Sequence, residues 1–287
     1  MSRLGLCLMW LLHWLPFRVI GVFGAMFGHL LYALNSERRK TTLTNLRLSF
    51  PDLESAALVS LAKQHFVVFA CSTLERGLLW WSSPSRLQHL VRIEGEEHLH
   101  ALKGQPLILL APHFVGLDAG WTRLAMAHDM VTMYARIKDA TFDAALRHGR
   151  ERFGQQQLLS RQDGLRGVIA AIRRGKPFYY LPDMDYGPRD AVFVPFFGVD
   201  AATITTVSRI ARLAGAKVLM VVTRRHRDGY VVTIGAPWPD FPTDDLVADT
   251  RRMNAAIETE VLAGDNAQYL WSHKRFKTRP AGEKGVY

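Results

Sequence analysis

Hydrophobic residues form three different patterns along the chain. From Leu4 to Leu34 they are almost continuous, and Arg18 is the only formally charged residue in that stretch. From Leu53 to Trp81 they recur at helical spacing, and Ser82-Ser83-Pro84 is expected to end this helix. From about Val91 onward, short apolar runs alternate with helical stretches. This alternation predicts an α/β fold in which helices cover both faces of a mostly parallel sheet.

The alternating part of the chain predicts five strands and five helices. The strand-like runs are residues 106–111, 130–135, 177–181, 217–223 and 230–234. The helical stretches are residues 116–128, 140–152, 164–174, 203–214 and 244–263. A turn at Arg227-Asp228-Gly229 would make the last strand an antiparallel partner of the strand before it.

The apolar N-terminus is long enough to interact with a membrane, but Pro16 and Arg18 divide it into two shorter halves. It fits a tilted membrane span with Arg18 reaching the surface, a helix lying in the membrane interface, a cleaved signal peptide, or a buried core helix. About 30 nearly uncharged residues favour membrane attachment. The basic cluster Arg38-Arg39-Lys40 follows directly and is expected to stay cytoplasmic. We therefore expect a membrane-attachment segment at residues 1–34 and a cytoplasmic domain at residues 35–287.

Charge and cysteine content narrow the class of protein. The 287 residues include 36 Lys and Arg against 26 Asp and Glu, a net charge of +10. This excess indicates an anionic partner such as nucleic acid, anionic lipid or an acidic carrier. The only cysteines, Cys7 and Cys71, exclude a disulfide scaffold and a four-cysteine zinc site.

The first candidate for chemistry is His113, which follows an apolar strand and precedes Asp118 by five positions. Such chemistry is expected at the carboxyl ends of the strands in an α/β sheet. A carboxylate one helical turn away can fix the imidazole tautomer and leave the other nitrogen free as a general base. A histidine at a strand end and an aspartate capping a turn would produce the same pattern without any catalytic role.

Two further groups of polar residues stand out. Asp183 and Asp185 follow another strand-like run and could bind a divalent metal, hold a basic side chain, or stabilise a turn. The apolar run that follows, Val192–Gly198, suggests a hydrophobic surface beside them. A basic cluster on or around one predicted helix fits a solvated face or a site for phosphates or a carrier, and consists of Arg136, Lys138, Arg147, Arg150 and Arg152.

No protein nucleophile accompanies His113, since the chain has no G-x-S-x-G elbow and neither cysteine is adjacent to it. The chain also lacks a P-loop, a G-x-G-x-x-G motif and a zinc-ligand spacing. A base without a protein nucleophile suggests the activation of a substrate hydroxyl, with a thioester as a suitable electrophile.

Several motifs together resemble the lipid A secondary (lauroyl/myristoyl) acyltransferases of Gram-negative bacteria, within the lysophospholipid acyltransferase superfamily. The similarity spans nearly the whole chain, including the apolar N-terminus and the segment from Ser36 to Asn45. The motifs are A-P-H-F-x-G-L-D at 111–118, G-R-E-R at 149–152, P-D-x-D-Y-G-P-R at 182–189, V-F-V-P-F-F-G-V at 192–199 and H-K-R-F-K-T-R-P at 273–280.

The resemblance implies an α/β acyltransferase fold at the cytoplasmic face of the inner membrane. It implies transfer of a fatty acyl chain from acyl carrier protein to a hydroxyl of a phosphate-bearing lipid A precursor, with no metal, cofactor or nucleic acid. His113 matches the base, Asp118 its orienting partner and Arg150 the active-site arginine. Asp118 stands where many lipid A members have Glu.

The remaining assignments are less direct. Asp183, Asp185 and Arg189 match a family block with a structural or substrate-positioning role. Arg147 and Arg152 are expected to engage an anionic substrate or carrier. The alternatives are an acyltransferase for another lysolipid or ornithine lipid, a membrane-bound glycosyltransferase with a D-x-D metal site, and a non-catalytic lipid-binding protein.

Overall fold

The computed structural model describes residues 2–160 and 164–287. Five helices come first: α1 Ser2–Leu12, α2 Phe17–Leu34, α3 Ser36–Ser49, α4 Ser55–Trp81 and α5 Pro84–Leu90. Pro16 occupies the N-cap of α2, where its missing amide hydrogen removes no helical hydrogen bond. The predicted division of the apolar run at Pro16 is therefore confirmed, and the predicted end of α4 before Ser82-Ser83-Pro84 is confirmed as well.

The rest of the chain alternates between strands and helices. The elements are β1 Val91–Glu94, α6 Glu96–Ala101, β2 Leu107–Leu110, α7 Leu117–Ala125, β3 Val131–Tyr134, α8 Ala140–Arg150, β4 Gln157–Ser160, α9 Arg166–Arg173, β5 Phe178–Tyr180, β6 Ala191–Phe196, β7 Val199–Ile204, α10 Thr206–Ala214, β8 Lys217–His226, β9 Gly229–Pro237 and α11 Leu246–Leu262. A short 3-10 turn at Asn266–Gln268 leads into the C-terminal tail.

Seven strands form the main sheet in the order β1-β9-β8-β2-β5-β3-β4. Every neighbouring pair is parallel except β8 and β9, which are antiparallel and joined by a turn at Arg227 and Asp228. The mostly parallel sheet and the antiparallel partner that we predicted are both confirmed.

Strand β2 shows how the sheet separates two hydrophobic cores. Ile108 and Leu110 face one core together with residues of α9, α10 and α11, whereas Leu107 and Leu109 face the other together with residues of α7 and α8. Side chains alternate between the faces of a strand, so helices must cover both faces of a buried sheet. The structure is therefore an αβα sandwich, as the sequence predicts.

A separate hairpin departs from the predicted element list. Strands β6 and β7 pair antiparallel across a turn at Phe197 and Gly198, which both have positive φ angles, 51° and 75°. Left-handed conformations at both central residues are typical of two-residue hairpin turns. The helix expected over residues 203–214 begins at Thr206 instead, because the preceding residues up to Ile204 belong to β7.

The apolar N-terminus is packed against the body of the protein. A Cβ atom added at Gly24 would lie 2.6 Å from the Cα of Cys71, and one added at Gly28 would lie 2.5 Å from the Cα of Val67. Glycines at these two positions therefore allow α2 to approach α4 more closely than larger residues would. The division into an attachment segment at residues 1–34 and a cytoplasmic domain at residues 35–287 stays a prediction.

The outer side of α2 is apolar and exposed, with Val22, Met26 and Leu30 each more than half accessible. By length and composition, α2 and α4 are both able to cross a membrane. Arg18 pairs with Asp228 in the turn between β8 and β9 and so connects α2 to the main sheet.

Candidate active site

Two neighbouring parallel strands bring His113 and Asp183 together. Leu110 at the end of β2 is in register with Tyr180 at the end of β5. Each polar residue lies three positions beyond the end of its strand. The carboxyl ends of parallel strands meet at one edge of the sheet, so equal offsets place the two side chains side by side.

His113 and Asp183 form two hydrogen bonds. The Nδ1 atom of His113 lies 2.7 Å from Oδ1 of Asp183, and the backbone N–H of His113 donates to Oδ2 at 3.0 Å. Burial alone would raise the pKa of Asp183, but the charge of His113 and these hydrogen bonds lower it to about 2. An ionised Asp183 only accepts hydrogen bonds, so it favours the imidazole tautomer with its proton on Nδ1, in which Nε2 is the acceptor.

The C-terminal tail holds the same segment from the other side. The backbone N–H of Leu270 donates to the carbonyl oxygen of His113 at 2.9 Å, and the N–H of Val115 donates to the carbonyl of Gln268 at 2.9 Å. Both backbone groups of His113 are therefore fixed, its N–H by Asp183 and its carbonyl by the tail.

The expected pairing of His113 with Asp118 is wrong. Asp118, near the start of α7, instead binds two arginines: Oδ1 accepts from Arg150 at 2.6 Å and Oδ2 accepts from Arg76 at 2.8 Å. Burial alone would raise the pKa of Asp118, but the two guanidinium groups hold it well below its ordinary range. Two permanent cations attract a carboxylate more strongly than one imidazole does, and Asp183 already occupies Nδ1 of His113.

Arg150 reaches the site because α8 packs closely on α4. A Cβ atom at Gly149 would lie 2.1 Å from Cδ1 of Trp80, so this residue has no space for a side chain. The carbonyl oxygen of Arg150 accepts from the indole N–H of Trp121 at 3.0 Å. The G-R-E-R motif thus combines a close helix contact with a fixed guanidinium.

A cavity of about 550 Å³ opens beside these groups, and both His113 and Arg150 line it. Much of the remaining wall is apolar and consists of Met133, Ile137, Leu146, Leu165, Leu181, Met184 and Ile204. A base and a cation at an apolar cavity suit a substrate with a polar reacting group and a hydrocarbon chain.

The two aspartates of the D-x-D motif have different partners. Asp185 accepts from the hydroxyl of Thr278 at 2.8 Å, from its backbone N–H at 2.6 Å and from the N–H of Gly187 at 2.9 Å. It thereby anchors the C-terminal tail, whereas Asp183 holds His113. The D-x-D motif therefore does not form a paired-carboxylate metal site in this arrangement.

The predicted basic cluster divides into residues with different surroundings. Arg152 donates to the carbonyls of Leu79 and Ser82 at the end of α4, so its guanidinium faces the protein. Arg147 lies 3.3 Å from Glu151 and is about half exposed. Other basic residues near the cavity have exposed side chains: Arg136, Lys138 and Arg189.

Sequence reasoning missed Arg76 and the role of Asp183 in holding His113. Arg76 lies in a long apolar helix, and nothing local to it indicates that it meets Asp118. Asp183 did carry a signal, since it follows its strand at the same offset as His113.

Comparison with known proteins places these features in a family. Residues 1–278 match the family model described as bacterial lipid A biosynthesis acyltransferase. The chain is 32% identical over 292 residues to the lipid A biosynthesis lauroyltransferase of Escherichia coli K12, covering 100% of this chain and 94% of that protein. It is 32% identical to a lipid A biosynthesis acyltransferase of Haemophilus influenzae, covering 93% and 86%, and 29% identical to the E. coli lipid A biosynthesis myristoyltransferase, covering 92% and 82%.

A solved structure was also found by comparison. The crystal structure of the 1-acyl-sn-glycerophosphate acyltransferase PlsC from Thermotoga maritima aligns with a TM-score of 0.41 at 14% identity. The alignment covers 86% of this chain and 95% of that one.

Proposed function

Because the chain belongs to the bacterial lipid A biosynthesis acyltransferase family, we propose that it transfers a fatty acyl chain from acyl carrier protein directly to a hydroxyl of a lipid A precursor. Acyl transfer in lipid A biosynthesis is the activity of the family. Our proposal goes beyond this family activity in three respects. Acyl carrier protein is the donor, the transfer is direct without an acyl-enzyme, and a His-Asp pair is the base.

The hydrogen-bonded pair of His113 and Asp183 at the cavity wall carries the proposal. Asp183 fixes the tautomer that leaves Nε2 unprotonated, so His113 can accept the proton of an approaching hydroxyl. An alcohol attacks poorly at neutral pH, and a positioned base typically contributes 10²–10⁴-fold in rate. Asp183 then stabilises the imidazolium that forms.

The remaining steps of the acyl transfer need no protein nucleophile. The acceptor oxygen bonds to the thioester carbonyl carbon while His113 takes its proton, and the carbonyl oxygen gains negative charge. Arg150, held by Asp118 and lining the same cavity, supports that charge. The carbon–sulfur bond then breaks, the carbonyl reforms, and the departing thiolate takes the proton back from His113.

The apolar wall of the cavity provides a place for the acyl chain. Each buried CH₂ group is stabilised by about 0.8 kcal/mol relative to water, so a fatty chain gains substantial free energy there. The exposed cations near the cavity (Arg136, Lys138, Arg147 and Arg189) are suited to an acidic carrier protein. Reversing Arg147 to Glu is expected to raise the KM for acylated carrier, less so at high salt.

We further propose attachment to the cytoplasmic face of the inner membrane through α1 and α2. The exposed apolar side of α2 supports this, as does the basic cluster that follows it. Within that cluster, Arg39 donates to the carbonyls of Tyr32 and Ala33, so its guanidinium is held at the junction of α2 and α3.

Direct transfer without an acyl-enzyme can be tested by measuring the intact mass of the enzyme. The purified protein is incubated with acylated carrier but no acceptor, denatured, and measured intact. We expect no added mass, and we expect the Cys7→Ser/Cys71→Ser double variant to remain active. A stoichiometric gain of one acyl chain would overturn direct transfer.

The acceptor is tested separately by mass spectrometry of lipid A from a deletion strain. We expect one acyl chain to be missing and to return with the wild-type gene but not with a His113→Ala variant. Unchanged lipid A together with altered phospholipids or ornithine lipids would favour those acceptors instead.

A further inference from the structure

A second basic region, outside the catalytic cavity, lies along α3. Two adjoining depressions of about 330 and 350 Å³ share Glu37, Thr41 and Lys274. Arg38, Ser272 and His273 complete the first, and Lys40 and Arg47 are among the residues of the second. We call the two depressions together the α3 groove.

The charge of the α3 groove is strongly unbalanced. Arg38, Lys40, Arg47 and Lys274 contribute four cations, and Glu37 is the only acidic residue among its lining residues. Glu37 lies 3.3 Å from Lys274, but its side chain is 82% exposed. Exposed ion pairs of this kind contribute little stability, so an anionic ligand can displace this one.

Ser272, one of the residues that line the groove, has a buried hydroxyl. Ser272 is 6% exposed and lines the groove, and its Oγ has no hydrogen-bond partner in the described part of the chain. A buried polar group without a partner is unfavourable, and a ligand oxygen that reaches it would relieve this. The guanidinium of Arg38 is held next to it, because its Nη1 donates to the carbonyl of Ser272 at 3.0 Å.

The groove adjoins the proposed base through a short piece of the tail. The N–H of Leu270 donates to the carbonyl of His113, and Ser272, His273 and Lys274 follow within four residues. Four residues span at most about 14 Å, so the tail residues that line the groove lie within about that distance of Leu270, which is hydrogen-bonded to His113. His273 lines the groove, and its Nε2 accepts from the backbone N–H of Asp185 at 3.3 Å.

The groove also lies where the chain leaves α2. Only Asn35 separates the last residue of α2 from the first residue of α3, and Leu30 and Leu34 near the end of α2 are exposed. A lipid lying beside α2 would therefore bring its headgroup to the start of α3.

We propose that the α3 groove binds a phosphate group of the acceptor lipid and thereby orients the acceptor hydroxyl toward His113. This inference rests on the proposed function and adds a binding site to it. Arginine, lysine and a hydroxyl are the donors that recognise phosphate oxygens in proteins.

The test compares acceptors that differ only in phosphate. Purified full-length protein in neutral detergent is assayed with a phosphorylated lipid A precursor and with the same lipid after enzymatic removal of its phosphates. In the Lys40→Gln and Lys274→Gln variants, we expect the KM for the phosphorylated lipid to rise by about fivefold each, since a lost exposed charge contact is worth up to about 1 kcal/mol. The kcat is expected to stay unchanged, and the KM for the dephosphorylated lipid is expected not to move.

Lys217→Gln is the matched control. Lys217 begins β8 in register with Leu107 at the start of β2, so it lies at the edge of the sheet opposite His113. We expect this variant to behave as wild type with both lipids.

The other outcomes each overturn the inference in a different way. A KM that rises equally for both acceptors, and only on vesicles containing phosphatidylglycerol, would assign the groove to bilayer phosphate. A rise in the KM for acylated carrier would assign it to carrier docking. Unchanged constants in an active enzyme would leave the groove without a phosphate role, whereas a wild-type enzyme inactive on every acceptor would instead contradict the proposed function.

Discussion

Asp118 and Asp183 are both buried carboxylates at the same site, and they are stabilised in different ways. Asp183 holds a titratable imidazole, so its charge is coupled to the proton transfer at His113. Asp118 lies between two permanent cations, Arg76 and Arg150, so its charge fixes the position of Arg150. Each carboxylate should therefore produce its own pattern of defects when its charge is removed.

Neutralising Asp183 should lower activity more than stability. Asp183→Asn can donate to Nδ1 of His113 and favour the tautomer protonated on Nε2, which cannot accept a proton. We expect kcat to fall by about 10²–10⁴-fold, the usual contribution of a general base, with little change in KM. The measurement is steady-state acyl transfer, and Asp185→Asn, which alters the neighbouring carboxylate, controls for local loosening. Similar kcat losses in both variants would contradict a specific role for Asp183.

Neutralising Asp118 should lower stability as well as activity. Asp118→Asn leaves Arg76 and Arg150 facing each other without a counter-charge, and breaking a buried ion pair in this way costs about 3–5 kcal/mol. We expect a clearly lower Tm, and we expect Asp118→Glu to recover part of both stability and activity because it keeps the charge. A normal Tm for Asp118→Asn would be inconsistent with this role.

The low pKa of Asp183 also predicts how stability depends on pH. A carboxyl whose pKa falls from 3.8 to about 2 on folding binds fewer protons when folded than when unfolded. Its charged form therefore contributes stability that is complete above about pH 4 and is lost as the pH falls toward 2. This lowering of the pKa corresponds to roughly 2 kcal/mol of stability near neutral pH.

The unfolding free energies of wild type and Asp183→Asn, measured by urea titration in detergent, should converge over this window. The difference between them should be largest near neutral pH and smallest near pH 2. A difference that stayed constant from pH 7 to pH 2 would show that the charge of Asp183 does not stabilise the folded protein.

At the scale of elements, α4 connects the N-terminal helices to the site. α2 packs against α4 at Gly24 and Gly28, and Arg76 near the C-terminal end of α4 binds Asp118. Trp80, one turn further, packs against the Gly149 position of α8. A change in the α2–α4 contact should therefore affect how the site is held.

Adding a methyl group at this contact should destabilise the protein. In Gly24→Ala, the new Cβ would lie 2.6 Å from a backbone atom of Cys71, which cannot move without shifting α4. Overpacking of this kind typically costs about 1–3 kcal/mol, and thermal unfolding in detergent would show a lower Tm. Gly5→Ala is the control, because no residue that the structure describes lies within 4 Å of its added Cβ. An equal Tm for the two variants would mean that α2 and α4 are not in close contact.

The elements that the sequence predicted are those whose local pattern reflects their burial. Strands β2 and β5 are buried along their whole length, so they appear as continuous apolar runs. β4 is only partly buried and begins with Gln157, so it lacks this signal. The pairing of His113 with Asp183 depends on β2 and β5 being neighbours, and no local pattern specifies strand order.

Across the whole molecule, three distant parts of the chain meet at one site. The sheet supplies His113 and Asp183, α4 and α8 supply the arginines around Asp118, and the C-terminal tail holds the backbone of His113. The apolar N-terminus touches this assembly through α4, so it is part of the packing that supports the site. Deleting residues 1–34 should therefore expose the α2-binding side of α4 and weaken the whole site.

Attachment can be separated from packing by changing only the outer side of α2. Val22, Met26 and Leu30 lie on one side of the helix and are exposed, whereas Ile20, Gly24 and Gly28 are buried. In the Val22→Gln/Met26→Gln/Leu30→Gln variant, we expect weaker membrane attachment because polar side chains disfavour the hydrocarbon. The Tm should remain near that of wild type, since the buried side is unchanged.

The triple variant and the deletion should therefore differ in their rates of thioester hydrolysis. With acylated carrier and no acceptor lipid, water can take the place of the acceptor hydroxyl, so slow thioester hydrolysis reports on an intact site. We expect the triple variant to leave the membrane fraction in flotation assays, to lose activity on bilayer acceptor, and to keep this hydrolysis. The deletion of residues 1–34 should lose hydrolysis together with cooperative unfolding. If the deletion instead unfolds cooperatively and hydrolyses the thioester at the wild-type rate, the N-terminal helices serve attachment alone.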